Sequence, residues 1–396
     1  MKRLNRFRKK ANSYILNNQV QLIRGGKTYF ERLVKMIGEA KESIQLQVYI
    51  FDDDETGREV VHALIDAAKR NVTVYLMADG YASQKLSRPF IKEITDAGIH
   101  FRFFEPLFRN RKAYFGRRMH HKVIVTDNRY AMVGGINISD HYNDMHGNPG
   151  WLDFAIFIEG DIAKSLCGLC KRTWQGYTPV DRINPCKNLS SPIQIDSAND
   201  CQLRIRRNDW VMKKSQVSKS YIEMFKKANR EIFMMSGYFL PGRMIRKSLK
   251  KAVSRGVKVR LILAGVSDVK IAKYAERYIY GWVFRNNIEL YEYKPCVLHG
   301  KVATYDGVWA TVGSYNVNDI SAYASIELNI DVNNAPFAAE LQRTFEEIIR
   351  QDCVLLTEEN FRAENNLFNQ AREYISYMFI RLLFYLFTLN FRQRDS

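Results

Sequence analysis

No apolar run ahead of residue 375 is long enough to cross a bilayer. The N-terminus is basic, but residues 11–21 are too polar for the apolar core of a signal peptide, so none is expected. Cysteine is also scarce. The six present are scattered, which suits a reduced compartment. Cys167-Gly-Leu-Cys170 is a C-x-x-C pair on an expected helix, and without a matching second pair it argues weakly for metal or redox use. Acidic residues are in deficit, 42 against 60 Lys and Arg, for a net charge of +18. That imbalance implies an anionic partner, either nucleic acid or an anionic membrane. The basic residues gather at the N-terminus (Lys2, Arg3, Arg6, Arg8–Lys10), at 109–118, and at Arg204, Arg206 and Arg207.

What the chain does have is a pattern that occurs twice. His120-His121-Lys122-Val-Ile-Val-Thr-Asp127 leads to Gly134-Gly135-Ile136-Asn137, and His299-Gly300-Lys301-Val-Ala-Thr-Tyr-Asp306 leads to Gly313-Ser314-Tyr315-Asn316 at the same spacing. Both copies read H-x-K-x4-D-x6-G-[GS]-x-N, and a second full copy makes coincidence negligible. Strand side chains alternate, so His120 and Lys122 share a face while Asp127 takes the other; His299, Lys301 and Asp306 divide in the same way. A histidine beside a lysine suits a phosphate, since the ammonium brings positive charge and the imidazole a nucleophile or a proton. The glycines permit close backbone approach after a strand, and the amides of Asn137 and Asn316 can donate to phosphate oxygens. Asp127 and Asp306 complete the catalytic candidate set, although their parity points to structural support.

The repeat reaches well beyond the motifs. Expected strands at 44–51 and 231–240 are each followed by an amphipathic helix, at 57–70 and 243–255. Further strands follow at 72–77 and 257–262, then helices, then short strands at 101–104 and 288–293. After each motif comes a strand with an early carboxylate, Asp153 in one and Glu327 in the other, and then a helix at 162–174 or 336–351. Strands alternating with helices predict an α/β fold of two repeated halves, each a mostly parallel mixed sheet flanked by helices. The halves are expected at 27–185 and 200–355, with a basic segment at 1–26 and a polar break near 185–199. The polar loop at 140–150, with His141, His146 and Pro149, can cover a site or simply lie on the surface.

These residues resemble the HKD motifs of the phospholipase D superfamily, over residues 27–351. Asp79-Gly80-Tyr81, Arg118-Met119-His120-His121-Lys122, Tyr238-Phe239-Leu240-Pro241-Gly242 and Leu298-His299-Gly300-Lys301-Val302 look most like bacterial cardiolipin synthases of the B type. The resemblance implies halves packed with pseudo-twofold symmetry and both motifs in one cleft. It also implies a phosphatidyltransferase that passes phosphatidyl from one phosphatidylglycerol to another through a phosphohistidine, with His120 as nucleophile and His299 as acid and base. Lys122, Lys301, Asn137 and Asn316 would hold the phosphoryl oxygens, so no metal or other cofactor is expected. Asp153 and Glu327 would orient the histidines, and Gly135 against Ser314 is an asymmetry the resemblance makes ordinary. Hydrolysis by a phospholipase D and cleavage of nucleic acid by an HKD nuclease are the alternatives.

The C-terminus favours lipid over nucleic acid. Residues 375–391 are strongly apolar and aromatic, with Arg381 inside and Arg392 and Arg394 closing the run. Such a stretch is marginal for a span and suits a helix lying in the membrane interface. The segment 356–396 is therefore expected to associate with a membrane, and the protein to sit peripherally on the cytoplasmic face of a bacterial inner membrane. Its expected partners are an anionic phospholipid, phosphatidylglycerol, and the membrane surface.

Overall fold

Strand β2 (Ser43–Val48) is buried at every residue, with alternate side chains meeting different helices. This comes from a computed structural model that describes residues 13–392 apart from 107, 110–111, 114–117, 146, 148, 177–185, 187–192, 197–198, 210, 319–320 and 323–324. The basic segment up to residue 12, the basic side chains at 109–117, His146, most of the break at 185–199 and the side chains beyond 384 lie outside the described residues. The chain falls into two compact units. One is Met1–Arg206 with Val312–Ser314 and Leu328–Asn334, and the other is Arg207–Thr311 with Tyr315–Glu327 and Ala335–Ser396.

The first sheet contains β1 (Asn18–Arg24), β2, β3 (Thr73–Asp79), β4 (His100–Phe104), β5 (Lys122–Thr126), β6 (Tyr130–Gly134) and β7 (Phe154–Gly160), in the order β1-β7-β6-β5-β2-β3-β4. The second contains β8 (Gln202–Asp209), β9 (Lys214–Ser215), β10 (Glu231–Ser236), β11 (Lys258–Val266), β12 (Glu289–Val297), β13 (Lys301–Tyr305), β14 (Trp309–Gly313), β15 (Ser325–Asn333) and β16 (Cys353–Leu356). Its order is β9-β8-β15-β14-β13-β10-β11-β12-β16, so the central topology of the first sheet recurs strand for strand. The parallel pairing expected from strand–helix alternation is found in β2-β3-β4 and β10-β11-β12. The motif strands instead join antiparallel. A tight turn accounts for the pairing of each motif strand with its successor: Asp127 and Asn128 (φ 53° and 57°) fold β5 back as β6, and Asp306 and Gly307 (φ 52° and 65°) fold β13 back as β14.

Helices α1 (Lys27–Glu39) and α2 (Glu55–Lys69) lay Phe30, Leu33, Val60 and Leu64 on Ile44, Leu46 and Leu76 of the first sheet. Asp54 caps α2 by accepting from the Gly57 N–H at 2.9 Å, and Ser87 caps α3 (Arg88–Asp96). Helix α4 (Ile162–Gln175) covers the other face of β2, where the Gln47 amide donates to the Cys170 carbonyl at 2.8 Å. In the second unit, α5 (Gln216–Lys227), α6 (Arg243–Ser254) and α7 (Lys270–Arg285) bury Tyr221, Leu249 and Ile279 against Ile232, Met234 and Leu261. Helix α8 (Ala335–Asp352) stacks Phe345 on Phe233 of β10 with ring centroids 5.9 Å apart.

One expectation needs correction. Cys167 is disulfide-bonded to Cys186, while Cys170 of the C-x-x-C pair is free and buried, so the cysteines are not all the reduced, scattered thiols that their spacing suggests. The C-terminal segment, expected to associate with a membrane, is largely helical. It forms β16, α9 (Glu358–Glu364) and α10 (Leu367–Arg392), and α10 places Ile380 in the second core.

The motif aspartates have a clear structural task. Asp127 accepts the backbone N–H groups of Lys41, Glu42 and Ser43 at 2.8–2.9 Å, and Asp306 accepts those of Asn229, Arg230 and Glu231 at 2.8–2.9 Å. Each thereby pins the start of the central strand to the end of the motif strand, five residues from the lysine and roughly 17 Å along it. This departs from a directly catalytic assignment for the two carboxylates. Asp306→Ala should cost about 2–3 kcal/mol and Asp127→Ala, whose bonds lie nearer solvent, about 1–2 kcal/mol. Urea unfolding of each variant checks this, and an unchanged midpoint would remove the lock from the account.

Candidate active site

Each motif builds a compact cluster around its lysine. Lys122 is buried at the first position of β5, and its Nζ donates to the His120 carbonyl at 2.6 Å. The same ammonium stands 5.1 Å from the centre of the Tyr49 ring, and that ring meets His120 edge-on with centroids 4.9 Å apart. His120 and Lys122 therefore face one environment, as strand parity requires. His121 turns the other way: it is fully buried, with Nε2 2.9 Å from Gln47 Oε1. Through Gln47 it is tied to α4, which sets the rotation of the chain at its neighbour.

The second motif repeats the plan with different atoms. Lys301 is fully buried and donates to the His299 carbonyl. Its Nζ also lies 2.8 Å from His299 Nδ1. An ammonium can only donate, so this contact makes Nδ1 the acceptor and leaves the imidazole proton on Nε2. The flanking ring is Tyr238, perpendicular to His299 with centroids 6.4 Å apart.

The glycines are dictated by contact. A Cβ on Gly134 would come within 2.7 Å of Ala155 Cα, and one on Gly313 would collide with the Leu328 carbonyl oxygen. Gly135 and Ser314 solve one problem in two ways. After the Asp153 position, the Phe154 N–H donates to Asp153 Oδ1 at 2.7 Å; at the matching place in the second repeat, the Leu328 N–H donates to Ser314 Oγ at 3.1 Å. Asp153 fills the space that a side chain at position 135 would need, with its Cγ 2.7 Å from the hypothetical Cβ. Asp153 is thus fully buried and held by its own backbone neighbour.

Asn137 is largely committed to the scaffold. Its Oδ1 accepts from the Ile50 N–H at 3.0 Å and its Nδ2 donates to the Tyr142 hydroxyl at 2.8 Å, leaving one amide hydrogen for other use. Asn316 is buried, and its Oδ1 has no hydrogen-bond partner among the described residues. The 140–150 loop is tied down over the helix starts: Asp144 accepts from the Lys27 and Gly150 N–H groups, and His141 stacks on Trp151 at 5.0 Å.

Two acids that motif reading passed over position the segments beside the histidines. Asp79 is fully buried at the end of β3 and accepts the N–H groups of Tyr81, Ala82 and Met119 at 3.0, 3.2 and 2.8 Å, with Arg118 at 3.4 Å. It fixes the two residues that lead into His120. Burial pushes its carboxyl up against the pull of Arg118 and the N–H groups. In the second unit Glu276 of α7 accepts the Phe239 N–H at 2.9 Å, next to Tyr238. Burial pushes Glu276 up as well, while Lys273 pulls it down. Burial opposes the ionised form of Glu292 too, but Lys273 and Lys294 hold its carboxyl low. The Asp79-Gly80-Tyr81 stretch was a visible signal for the first acid; Glu276 sits in an ordinary amphipathic helix and gave none.

A family model described as "Cardiolipin synthase, PLD-like domain" matches residues 33–150 and 221–349, one motif in each segment. Cardiolipin synthase B of Escherichia coli (strain K12) is 31% identical over 367 residues, covering 92% of this chain and 88% of that protein. A probable cardiolipin synthase of Bacillus subtilis (strain 168) is 28% identical over 84% of this chain and 66% of its own length. The crystal structure of a phosphatidylserine synthase from Haemophilus influenzae Rd KW20 superposes with a TM-score of 0.73 over 96% of this chain and 98% of that one, at 12% identity, which is a likeness of fold.

The Gly135–Asp153 contact yields a test. Gly135→Ser, which copies the second repeat into the first, should destabilise the protein by about 1–3 kcal/mol through overpacking. Adding Asp153→Ala should recover part of that loss in thermal unfolding. Additive losses in the double variant would show that the two positions do not compete for space.

Proposed function

Because the chain belongs to the cardiolipin synthase family of phospholipase D-like proteins, we propose that it transfers phosphatidyl from one phosphatidylglycerol to a second, giving cardiolipin and glycerol. The protein is a phospholipid phosphatidyltransferase, and the donor, acceptor and intermediate are our reading. The observation that carries it is the histidine held, twice over, beside a buried lysine ammonium two residues on.

In the first step a ring nitrogen of His120 attacks phosphorus, and the bond from phosphorus to the glycerol oxygen breaks. The leaving alkoxide takes the proton from His299 Nε2 while the Lys301 ammonium passes one to Nδ1, so the ring stays neutral. In the second step the hydroxyl of another phosphatidylglycerol gives its proton to His299 and attacks phosphorus, and His120 leaves. Lys122 and Lys301 meet the charge that develops on the phosphoryl oxygens. The free amide hydrogen of Asn137 and the buried amide of Asn316 are further donors in this reading. Asp153 and Glu327, both fully buried, steady the segments around the histidines. We assign one motif each to residues 27–185 and 200–355, and membrane association to 356–396.

Among the described residues no helix is long and apolar enough to cross a membrane. We read the protein as peripheral on an anionic membrane, on its cytoplasmic face. The disulfide gives that placement a direct test. On the cytoplasmic face Cys167 and Cys186 should be reduced and alkylated in rapidly quenched cells. A bond that persists in such cells puts the pair on an oxidising side instead.

Incubation of purified protein with phosphatidylglycerol vesicles, followed by lipid mass spectrometry, should show cardiolipin and glycerol. Phosphatidic acid without cardiolipin would mean that water is the acceptor, and DNA cleavage without lipid turnover would sink the lipid reading. Rapid quench should trap the phosphatidyl group on His120, and His120→Ala should lower turnover by about 1000-fold or more. Label found only on His299 would exchange the two roles.

A further inference from the structure

Helix α10 carries apolar residues on both of its sides. Its inner side is fixed. Ile380 and Ser376 are buried, the Tyr377 ring packs tilted against Tyr278 of α7 with centroids 4.6 Å apart, and Glu373 accepts from Arg277 Nε at 2.9 Å and from the Asn365 amide at 3.0 Å. Its outer side presents Ala371, Tyr374, Ile375, Met378, Phe379 and Leu382 to solvent. That spacing, i, i+3, i+4, i+7, i+8, i+11, makes one continuous stripe along a helix. An apolar stripe of this period normally points into a core, yet here Ile375 is 65% exposed and Leu382 53%. Ile271 and Tyr278, about two turns apart on α7, add exposed apolar surface on the neighbouring helix, and Tyr278 stands 5.6 Å from Tyr374.

The exposed or half-buried charges that α10 itself contributes are of one sign. Glu373 is the only acidic residue of α10, and it is buried against Arg277. Arg372 and Arg381 remain, with Arg372 lying 4.0 Å from the Tyr274 ring centre and Arg381 exposed over Tyr377. We propose that the outer face of α10, extended by α7, is a docking surface for an anionic phospholipid bilayer. Aromatic and aliphatic side chains enter the interface, and the arginines meet the headgroups. A second copy of the chain fits the surface less well, because pairing it with itself brings like charges together. The proposal rests on the reading of the protein as an enzyme of bilayer lipids, and it narrows the membrane-associating segment to one face built into the second unit.

The test measures binding apart from turnover. Wild-type protein should float with vesicles of phosphatidylglycerol and phosphatidylcholine, and Ile375→Asp/Leu382→Asp should bind them about tenfold more weakly or worse. The double variant should unfold at the wild-type temperature and still turn over short-chain phosphatidylglycerol dispersed in detergent. Arg381→Gln should weaken binding about fivefold on anionic vesicles and leave pure phosphatidylcholine unchanged. Should the double variant fail to fold, Phe379→Trp serves instead, with a blue shift of its emission expected on vesicle addition and an unmoved spectrum counting against the proposal. Unchanged flotation of the folded double variant overturns it, as does a dimer that the variant dissociates while vesicle binding persists. Flotation of wild type without cardiolipin formation would leave the docking face standing and fail the proposed activity.

Discussion

Everything around each motif answers to a buried lysine ammonium. Removing such a charge from water costs several kcal/mol unless oriented oxygens, an anion or an aromatic face meets it. Here the histidine carbonyl two residues earlier accepts a hydrogen bond from each ammonium, and for Lys122 a tyrosine ring supplies a face. The lysine thereby orients the backbone of the histidine it accompanies. A binding charge and a positioned imidazole are thus products of one local geometry, which explains why the pair travels together at fixed spacing.

The two copies keep that geometry while changing the parts around it. The residue that steadies the approach to the histidine cluster is a strand-end aspartate in one repeat, Asp79, and a helical glutamate in the other, Glu276. The N–H after the downstream carboxylate position is met by Asp153 in one and by the Ser314 hydroxyl in the other. Repetition of strand order has therefore been preserved more strictly than the identity of the side chains that satisfy it.

Strand parity made the division of labour within each motif legible: His and Lys on one side, Asp on the other, with the aspartate at the far end gripping three N–H groups. Elements with a clear period, such as β2 and α2, were equally legible. The antiparallel return of the strand after each motif was not, because it depends on left-handed turn residues at Asp127 and Asp306 that strand–helix alternation does not register. The work of Asp79 and Glu276 was hidden because their partners are backbone groups far away in sequence. The Cys167–Cys186 bond was hidden because a C-x-x-C pair draws attention to the wrong partner. In α10 the apolar composition was plain, but the division into a packed side and an open side depends on what α7 offers at Arg277 and Tyr278.

Glu276 and Arg277 are adjacent on α7 and reach in different directions. One holds the Phe239 backbone beside the ring that flanks His299, and the other holds Glu373 of α10. A single turn of helix is thus the shared mounting for the histidine's neighbourhood and for the outward helix. A force applied to α10, by whatever it rests on, is borne by the same turn that steadies Phe239. In mechanical terms the second unit has a short load path, with one residue step separating the part that is pushed from the part that must stay still.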